Sequence, residues 1–92
     1  MYYVYFLKLA NGDIYKGSTR DLKRRVKEHT AGKVESTRHH QPVILIGYEA
    51  YLLASDARRR ELFLKTTEGK RLFRQQYRDI LNHYSLQGGE IA

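Results

Sequence analysis

The sequence predicts an α+β domain in which a three-stranded antiparallel sheet is flanked by three helices, in the order β-β-α-β-α-α. Residues 2–9, YYVYFLKL, are aromatic and branched with little polar interruption, which is typical of a strand buried on both faces. Asn11-Gly12 then marks a tight turn before a second strand at residues 13–17. A third apolar run, residues 43–51, predicts the third strand. Apolar side chains recur at helical spacing before and after it, which predicts the helices.

The length of the first turn decides which side chains share a face of the sheet. A two-residue loop puts Tyr5 and Tyr15 on opposite faces. A three-residue loop with Gly12 in a left-handed conformation puts them on the same face, because it pairs Leu9 with Asp13. We predict the three-residue loop, since a site shared by the two phenols requires it.

The remaining elements are bounded by capping residues and by breaks in the pattern. Ser18 or Thr19 can cap the first helix, and Gly32 ends it. A polar irregular stretch, residues 33–41, precedes the third strand. The predicted helices that follow run from Asp56 to about Lys65, with Ser55 as the cap, and from about Lys70 to Tyr84.

Length and composition restrict the class of protein. Ninety-two residues predict a single domain over residues 1–84, and the glycine-containing end, residues 85–92, predicts a flexible tail. The absence of cysteine excludes disulfides and thiolate catalysis. The N-terminus lacks the basic region of a signal peptide and no apolar run is long enough to span a bilayer, so we expect a cytoplasmic protein.

The chain is strongly basic. Seventeen Lys and Arg against ten Asp and Glu give a formal net charge of +7. Nucleic acid is the partner that this charge favours, because neutralising phosphates releases counterions. Two alternatives are a charge that only maintains solubility and an acidic membrane surface, and the lack of a clear surface-lying amphipathic helix weakens the second.

Four side chains near the N-terminus suit phosphodiester chemistry when taken together. They are two phenols, Tyr5 and Tyr15, and the guanidinium and imidazole of Arg25 and His29, which lie one helical turn apart. Each is ordinary alone, because tyrosine is common in strand cores and His29 can stabilise the helix end.

Glu61 is a candidate metal ligand. It lies on the same side of its helix as Ala57 and Leu64, so the carboxylate leans toward the packed face and needs a partner there. A hard divalent cation is one such partner. The alternatives are basic side chains, namely Arg58, Lys65 and Arg25. The adjacent pair His39-His40 lacks the ligands of a closed zinc site, and we interpret it as loop residues that touch phosphate.

The motifs together resemble the GIY-YIG endonuclease superfamily, in particular its small single-domain branch related to the N-terminal nuclease domain of the repair protein UvrC. The name-giving motifs correspond to Tyr3-Val4-Tyr5 and Tyr15-Lys16-Gly17, and the likeness extends from residue 2 to about residue 82. The sequence departs from the pattern at Tyr3, where the name has glycine, and at Lys16, which is usually apolar. It also lacks the asparagine that many members have about three helical turns after the glutamate.

The resemblance implies a metal-dependent endonuclease that cuts nucleic-acid phosphodiester bonds, with DNA favoured over RNA as the substrate, in repair or recombination. It implies that Tyr5 and Tyr15 are active-site tyrosines, that Arg25 is catalytic with His29 beside it, and that Glu61 binds one Mg²⁺ or Mn²⁺ ion. Sequence specificity would come from a protein partner or from the shape of the substrate, because the chain has no added DNA-binding domain.

Basic side chains are expected to contact the nucleic-acid backbone without reading bases. These candidates are Lys16, Lys23, Arg24, Lys27, Lys33, Arg38, Lys65 and Lys70. Two alternatives to a nuclease stay open: a nucleic-acid-binding module of the same fold that has little or no turnover, and a protein-interaction domain. A nuclease predicts that the two phenols, Arg25, His29 and Glu61 line one cleft.

Overall fold

The computed structural model describes the backbone of residues 1–91 and the side chains of residues 1–85. Its elements, in chain order, are β1 (Tyr2–Lys8), β2 (Ile14–Thr19), α1 (Leu22–Thr30), β3 (Ile44–Tyr51), α2 (Ala54–Leu64), α3 (Thr67–Gln76) and α4 (Arg78–Ile91). The predicted α+β class is confirmed, with four helices instead of three. None of these helices is long and apolar enough to cross a membrane.

The sheet has the order β2-β1-β3, and both strand pairs are antiparallel. The central strand β1 has four consecutive buried residues, Val4 to Leu7. Burial of consecutive residues means that both faces of β1 are covered, as its continuous apolar sequence predicts. On one face Tyr5 and Leu7 form a cluster with Val43, and Leu22 of α1 packs against it.

The first hairpin has the predicted three-residue loop. The N–H of Leu9 donates to the carbonyl of Asp13 at 2.9 Å, and Gly12, with φ of +92°, adopts the left-handed conformation. This register pairs Leu7 with Tyr15 and Tyr5 with Gly17. Because side chains alternate along a strand, Tyr5 and Tyr15 lie on the same face of the sheet.

The cap of α1 differs from the prediction. The carboxylate of Asp21 accepts from the N–H of Arg24 at 3.2 Å, so Asp21 caps the helix and not Ser18 or Thr19. The Oγ1 of Thr19 instead accepts from the N–H of Asp21 at 3.1 Å, which forms the turn that leads into the helix. Gly32, with φ of +73°, ends the helix as predicted.

An ion pair fastens α2 to the sheet. Arg60 donates to both carboxylate oxygens of Glu49, at 2.9 and 3.1 Å, and Tyr51 donates to the same carboxylate at 2.7 Å. Burial and this carboxylate raise the pKa of Tyr51 to about 12. The pair therefore fixes the position of the next helical residue, Glu61. Since α2 begins at Ala54, Ser55 lies in its first turn and is not the predicted cap.

Residues 63–91 form a compact unit distinct from residues 1–62. The predicted helix from Lys70 to Tyr84 is two helices, α3 and α4, with a break at Tyr77. The Oγ1 of Thr66 caps α3 by accepting from the N–H of Gly69 at 3.0 Å. The predicted flexible tail, residues 85–92, lies almost wholly outside the described side chains, and that assignment stays a prediction.

Candidate active site

Three of the candidate rings meet on the face of the sheet that α1 covers. The ring centres of Tyr5 and Tyr15 are 6.1 Å apart, and that of His29 lies 5.5 Å from the first and 5.0 Å from the second. The hairpin register contributes the phenols and the last turn of α1 contributes the imidazole. The structure therefore brings together side chains that the sequence separates by up to 24 residues.

A chain of hydrogen bonds runs through His29. Its Nε2 lies 2.9 Å from the hydroxyl of Tyr5, and its Nδ1 lies 2.8 Å from the hydroxyl of Thr37. All three side chains are fully buried. The side-chain amide of Gln41 also donates to the His29 carbonyl at 2.6 Å, so the end of α1 is held from two sides.

Thr37 is the site residue that the sequence does not reveal. It lies in the polar stretch of residues 33–41, which predicts an exposed loop. That stretch folds into tight turns, in which the N–H groups of Thr37 and Arg38 donate to the carbonyl of Val34 at 3.1 and 2.9 Å. The turns bury Thr37 beside His29, which lies eight residues earlier in the chain. The sequence carries no other sign of this contact.

His29 is neutral at neutral pH. Burial and the nearby charge of Arg25 lower its pKa from the ordinary value of 6.5, and Glu28 opposes them with a smaller effect. A neutral imidazole has one N–H donor and one acceptor nitrogen. One of the two hydroxyls, of Tyr5 or of Thr37, therefore donates to the ring and the other accepts from it.

Tyr5 is protonated in the same pH range. Burial is the largest cause that raises the pKa of Tyr5, a hydrogen-bonding interaction with Arg25 lowers it, Tyr15 also raises it, and the net pKa is about 12. With that pKa, the phenol holds its proton near neutral pH. A free phenolate is thus rare in the resting protein, and any proton that leaves Tyr5 must be accepted by a neighbour.

Arg25 lies on the margin of α1 beside this cluster. Its interaction with Tyr5 raises the pKa of the guanidinium, which stays charged throughout. The same guanidinium donates to Glu28 at 3.1 Å, and about a third of its side chain is exposed. It is therefore the charged member of the cluster that is accessible to an anion from outside.

Gly17 gives the Tyr5 hydroxyl its space. A Cβ at this position would lie 2.6 Å from the Tyr5 Oη, 2.7 Å from its Cζ and 3.0 Å from Cε1 of Tyr15. Real side chains do not approach so closely, so any other residue would displace the buried phenol. The close approach of Tyr5 explains why the second motif ends in glycine.

Glu61 lies on the opposite face of β2. Only 5% of it is exposed, and its Oε1 accepts from the hydroxyl of Ser18 at 2.7 Å and from Arg58 at 2.9 Å. Ser18 follows Gly17 on β2, so by alternation it points away from the phenol face. The predicted lean toward the packed face is confirmed, and Arg58 is one of the basic partners that the sequence predicts. The other four candidates lie on the phenol face.

The Glu61 carboxylate is a suitable ligand for a hard divalent cation. Among residues 1–85, His, Asp and Glu side chains form no group of three or more that could enclose a metal ion. The Glu61 carboxylate can supply one hard oxygen ligand. Mg²⁺ is commonly held in this way by one or two carboxylates, with waters and substrate phosphates completing its shell.

The predicted phosphate contacts differ in exposure. Lys16 is only 9% exposed and shares the sheet face of Phe6, so its role as a phosphate contact stays a prediction. The others are exposed: Lys23, Arg24, Lys27, Lys33 and Arg38 in the first unit, and Lys65 and Lys70 in the second. His39 is exposed too, and its Nε2 accepts from Arg38 at 3.2 Å.

Comparison with known proteins agrees with this geometry. Residues 1–77 match the family described as GIY-YIG catalytic domain. A UPF0213 protein of Haloquadratum walsbyi is 37% identical over 82 residues, which span 86% of this chain and 92% of the relative. A UPF0213 protein of Halobacterium salinarum is 41% identical over 66 residues, which span 71% of this chain and 86% of the relative. The solution NMR structure of a UPF0213 protein from Bacillus halodurans has a TM-score of 0.54 and 32% identity, covering 83% of this chain and 85% of that one.

Proposed function

The chain belongs to the GIY-YIG family of nucleases, and from this premise we propose that it is a metal-dependent endonuclease that hydrolyses DNA phosphodiester bonds. The observation that supports a working site best is the buried chain of hydrogen bonds from Tyr5 through His29 to Thr37, with Arg25 beside it. A core tyrosine needs one partner for its hydroxyl. Here both nitrogens of the His29 imidazole are hydrogen-bonded and a guanidinium lies nearby. Such an imidazole can accept a proton from Tyr5 while a phosphate is bound at the guanidinium.

In the proposed reaction Tyr5 is the general base for the attacking water. As the water oxygen bonds to phosphorus, the bond from phosphorus to the leaving sugar oxygen breaks, and that oxygen takes a proton from solvent. The proton of the attacking water passes to the Tyr5 oxygen while the Tyr5 proton passes to Nε2 of His29. Nδ1–H of His29 then donates to Thr37, which orients the ring. Because the two transfers are concerted, no free phenolate with a pKa of about 12 has to form. Tyr15 orients the water or the phosphate.

Arg25 is the electrostatic member of the proposed site. Negative charge develops on the non-bridging oxygens as water attacks, and a planar guanidinium can donate to two of them. Its partly exposed position beside Tyr5 places that charge at the edge of the buried cluster. The ion pair with Glu28 holds the guanidinium in place before substrate binds.

Glu61 is the proposed ligand of Mg²⁺ or Mn²⁺. A bound cation would polarise a phosphate oxygen and stabilise the leaving group. Since β2 is an edge strand, the proposal seats the phosphate at its outer edge, where the two faces of the strand adjoin. With the phosphate there, Glu61 would reach it from the face of β2 that carries Ser18, and the phenols and Arg25 would reach it from the opposite face.

Exposed basic residues of α1 and of the turns after it are the proposed contacts to the DNA backbone. Such contacts predict a steep fall of affinity with salt. They read no bases, so we propose that substrate shape or a protein partner supplies specificity, in repair or recombination.

A nucleic-acid-binding module without turnover is the second candidate function. The observation that favours it is the ion pair between Arg58 and Glu61, because a metal ion must compete with that guanidinium for the carboxylate.

The test is cleavage of labelled nicked, branched and linear DNA, and of RNA, with Mg²⁺, Mn²⁺ or EDTA. We expect metal-dependent cleavage of at least one DNA that is lost in Arg25→Ala and Glu61→Gln. Arg59→Ala, which removes an exposed arginine of α2 that pairs with Asp56, should retain it. Salt-sensitive binding without cleavage would support the second candidate, and equal cleavage by all variants would reveal a contaminant.

A further inference from the structure

A groove beside the catalytic cluster has an aromatic floor and a basic rim. It has a volume of about 520 Å³ and lies between the N-terminal half of α1 and the strands β1 and β3. Its floor includes Tyr3 and Tyr48. Tyr3 precedes Tyr5 by two residues and Tyr48 pairs directly with Tyr5, so the groove shares the face of the phenol cluster.

Two large side chains of the floor are exposed to solvent. Tyr48 is 54% exposed and Leu45 is 37% exposed. The ring of Tyr3 meets that of Tyr48 edge to face, with centres 5.9 Å apart at 70°. This contact braces Tyr48 and leaves ring surface facing outward. Tyr3 is also the residue at which the first motif departs from glycine, so the brace belongs to this chain's own sequence.

The rim provides positive charge. It consists of Arg20, Lys23 and Lys27, and the guanidinium of Arg20 lies 5.3 Å from the ring centre of Tyr2. Among the residues with described side chains, neither lysine has an ion-pair partner. The groove has one acid, Asp21, and its carboxylate is engaged as the cap of α1. The three cations of the rim therefore outnumber the one carboxylate, and the groove keeps a net positive charge beside its aromatic floor.

We propose that this groove binds an unpaired nucleotide of DNA, with its base on Tyr48 and its phosphates on Lys23 and Lys27. The combination of a ring platform with backbone cations is the one that single-stranded nucleic acid uses, because every base has a face to stack. The inference rests on the proposed function and adds a substrate class to it, namely duplexes that carry a flap or an overhang. An acidic peptide would match the rim but would not require the braced ring.

The test is binding in EDTA, where metal-dependent cleavage is suppressed, measured by fluorescence anisotropy. The probes are a blunt DNA duplex, the same duplex with a short single-stranded overhang, and that overhang with abasic residues. We expect wild-type protein to bind the overhang more tightly than the blunt or abasic probe. Tyr48→Leu should weaken overhang binding by roughly 5- to 150-fold, since a stacked base contributes about 1–3 kcal/mol. Tyr48→Phe is the matched control, because it keeps the ring and should keep the preference.

Several results would overturn the inference. They are equal binding of blunt and overhang probes, an equal loss for both probes in Tyr48→Leu, and a stronger preference for an RNA overhang than for DNA. Concentration-dependent dimers that Tyr48→Leu abolishes would assign the groove to a second copy of the chain. The failures are distinguishable: preference without cleavage in Mg²⁺ would refute the nuclease alone, and cleavage without preference would refute the groove alone.

Discussion

Substituting Gly17 by alanine tests how tightly the site is built around Tyr5. The added Cβ would lie 2.6 Å from the Tyr5 oxygen and 2.7 Å from its Cζ, and Tyr5 is fully buried, so the phenol cannot move into solvent. Overpacking of this kind costs about 1–3 kcal/mol. Displacing the phenol from His29 loses a hydrogen bond worth about 1 kcal/mol, which roughly offsets the gain from replacing a strand glycine. The free energy of unfolding should therefore fall by about 1–3 kcal/mol.

The assay is thermal and urea unfolding of Gly17→Ala, where each kcal/mol lowers the Tm of a domain this size by about 4–8 °C. The matched control is the same substitution in a Tyr5→Leu background, which removes the phenol. Gly17→Ala should cost less there, because its main steric partner is gone. An equal cost in both backgrounds, or an unchanged Tm in the single variant, would refute the steric argument.

Three further predictions concern the two ends of the site. Thr37→Val keeps the shape of the side chain but removes the partner of His29 Nδ1, so it should lower the free energy of unfolding by about 1–3 kcal/mol; an unchanged urea midpoint would contradict the buried bond. The pKa of His29 is lower in the folded protein than its ordinary value of 6.5, so as the pH falls the unfolded chain takes up the proton before the folded protein does. The stability from this group is present above pH ~6.5 and is lost as the pH falls from there through the folded pKa, and the difference in Tm between wild type and His29→Gln should shrink over that range. Arg58→Gln should change stability by at most ~1 kcal/mol, since 61% of the Arg58 side chain is exposed, yet it should tighten Mn²⁺ binding in calorimetry by removing a competing cation from Glu61; unchanged or weaker binding would argue against that carboxylate as the ligand.

The features that the sequence predicts correctly depend on local chemistry. A glycine after an asparagine fixes the hairpin loop, and the loop length fixes the register, so the shared face of Tyr5 and Tyr15 follows from a few residues. The i, i+4 spacing likewise predicts that Arg25 and His29 point the same way. The continuous apolar character of β1 predicts its central position in the sheet.

The features that it misses depend on tertiary contacts. Thr37 is a polar residue in a polar stretch, and only the folded turns place it against His29. Three neighbouring residues can each cap α1, and the choice of Asp21 depends on the turn that Thr19 forms. The apolar spacing continues across Tyr77, so periodicity alone does not show the break between α3 and α4.

Among the features that the sequence does not predict, the face of β2 on which Glu61 lies has the greatest consequence for the site. Helical periodicity shows that the carboxylate faces the core, but it does not show which face of the sheet that core adjoins. The Arg60–Glu49 pair, which the sequence does not reveal, fixes α2 there.

The single-turnover rate of Tyr5→Phe on a cleaved DNA, in Mg²⁺, tests the central claim most directly. The substitution removes one oxygen and keeps the buried ring, so the fold should persist while the proton path to His29 is cut. Our account predicts a fall of about 100-fold or more, the usual contribution of a general base. Cleavage by Tyr5→Phe at the wild-type rate would contradict it.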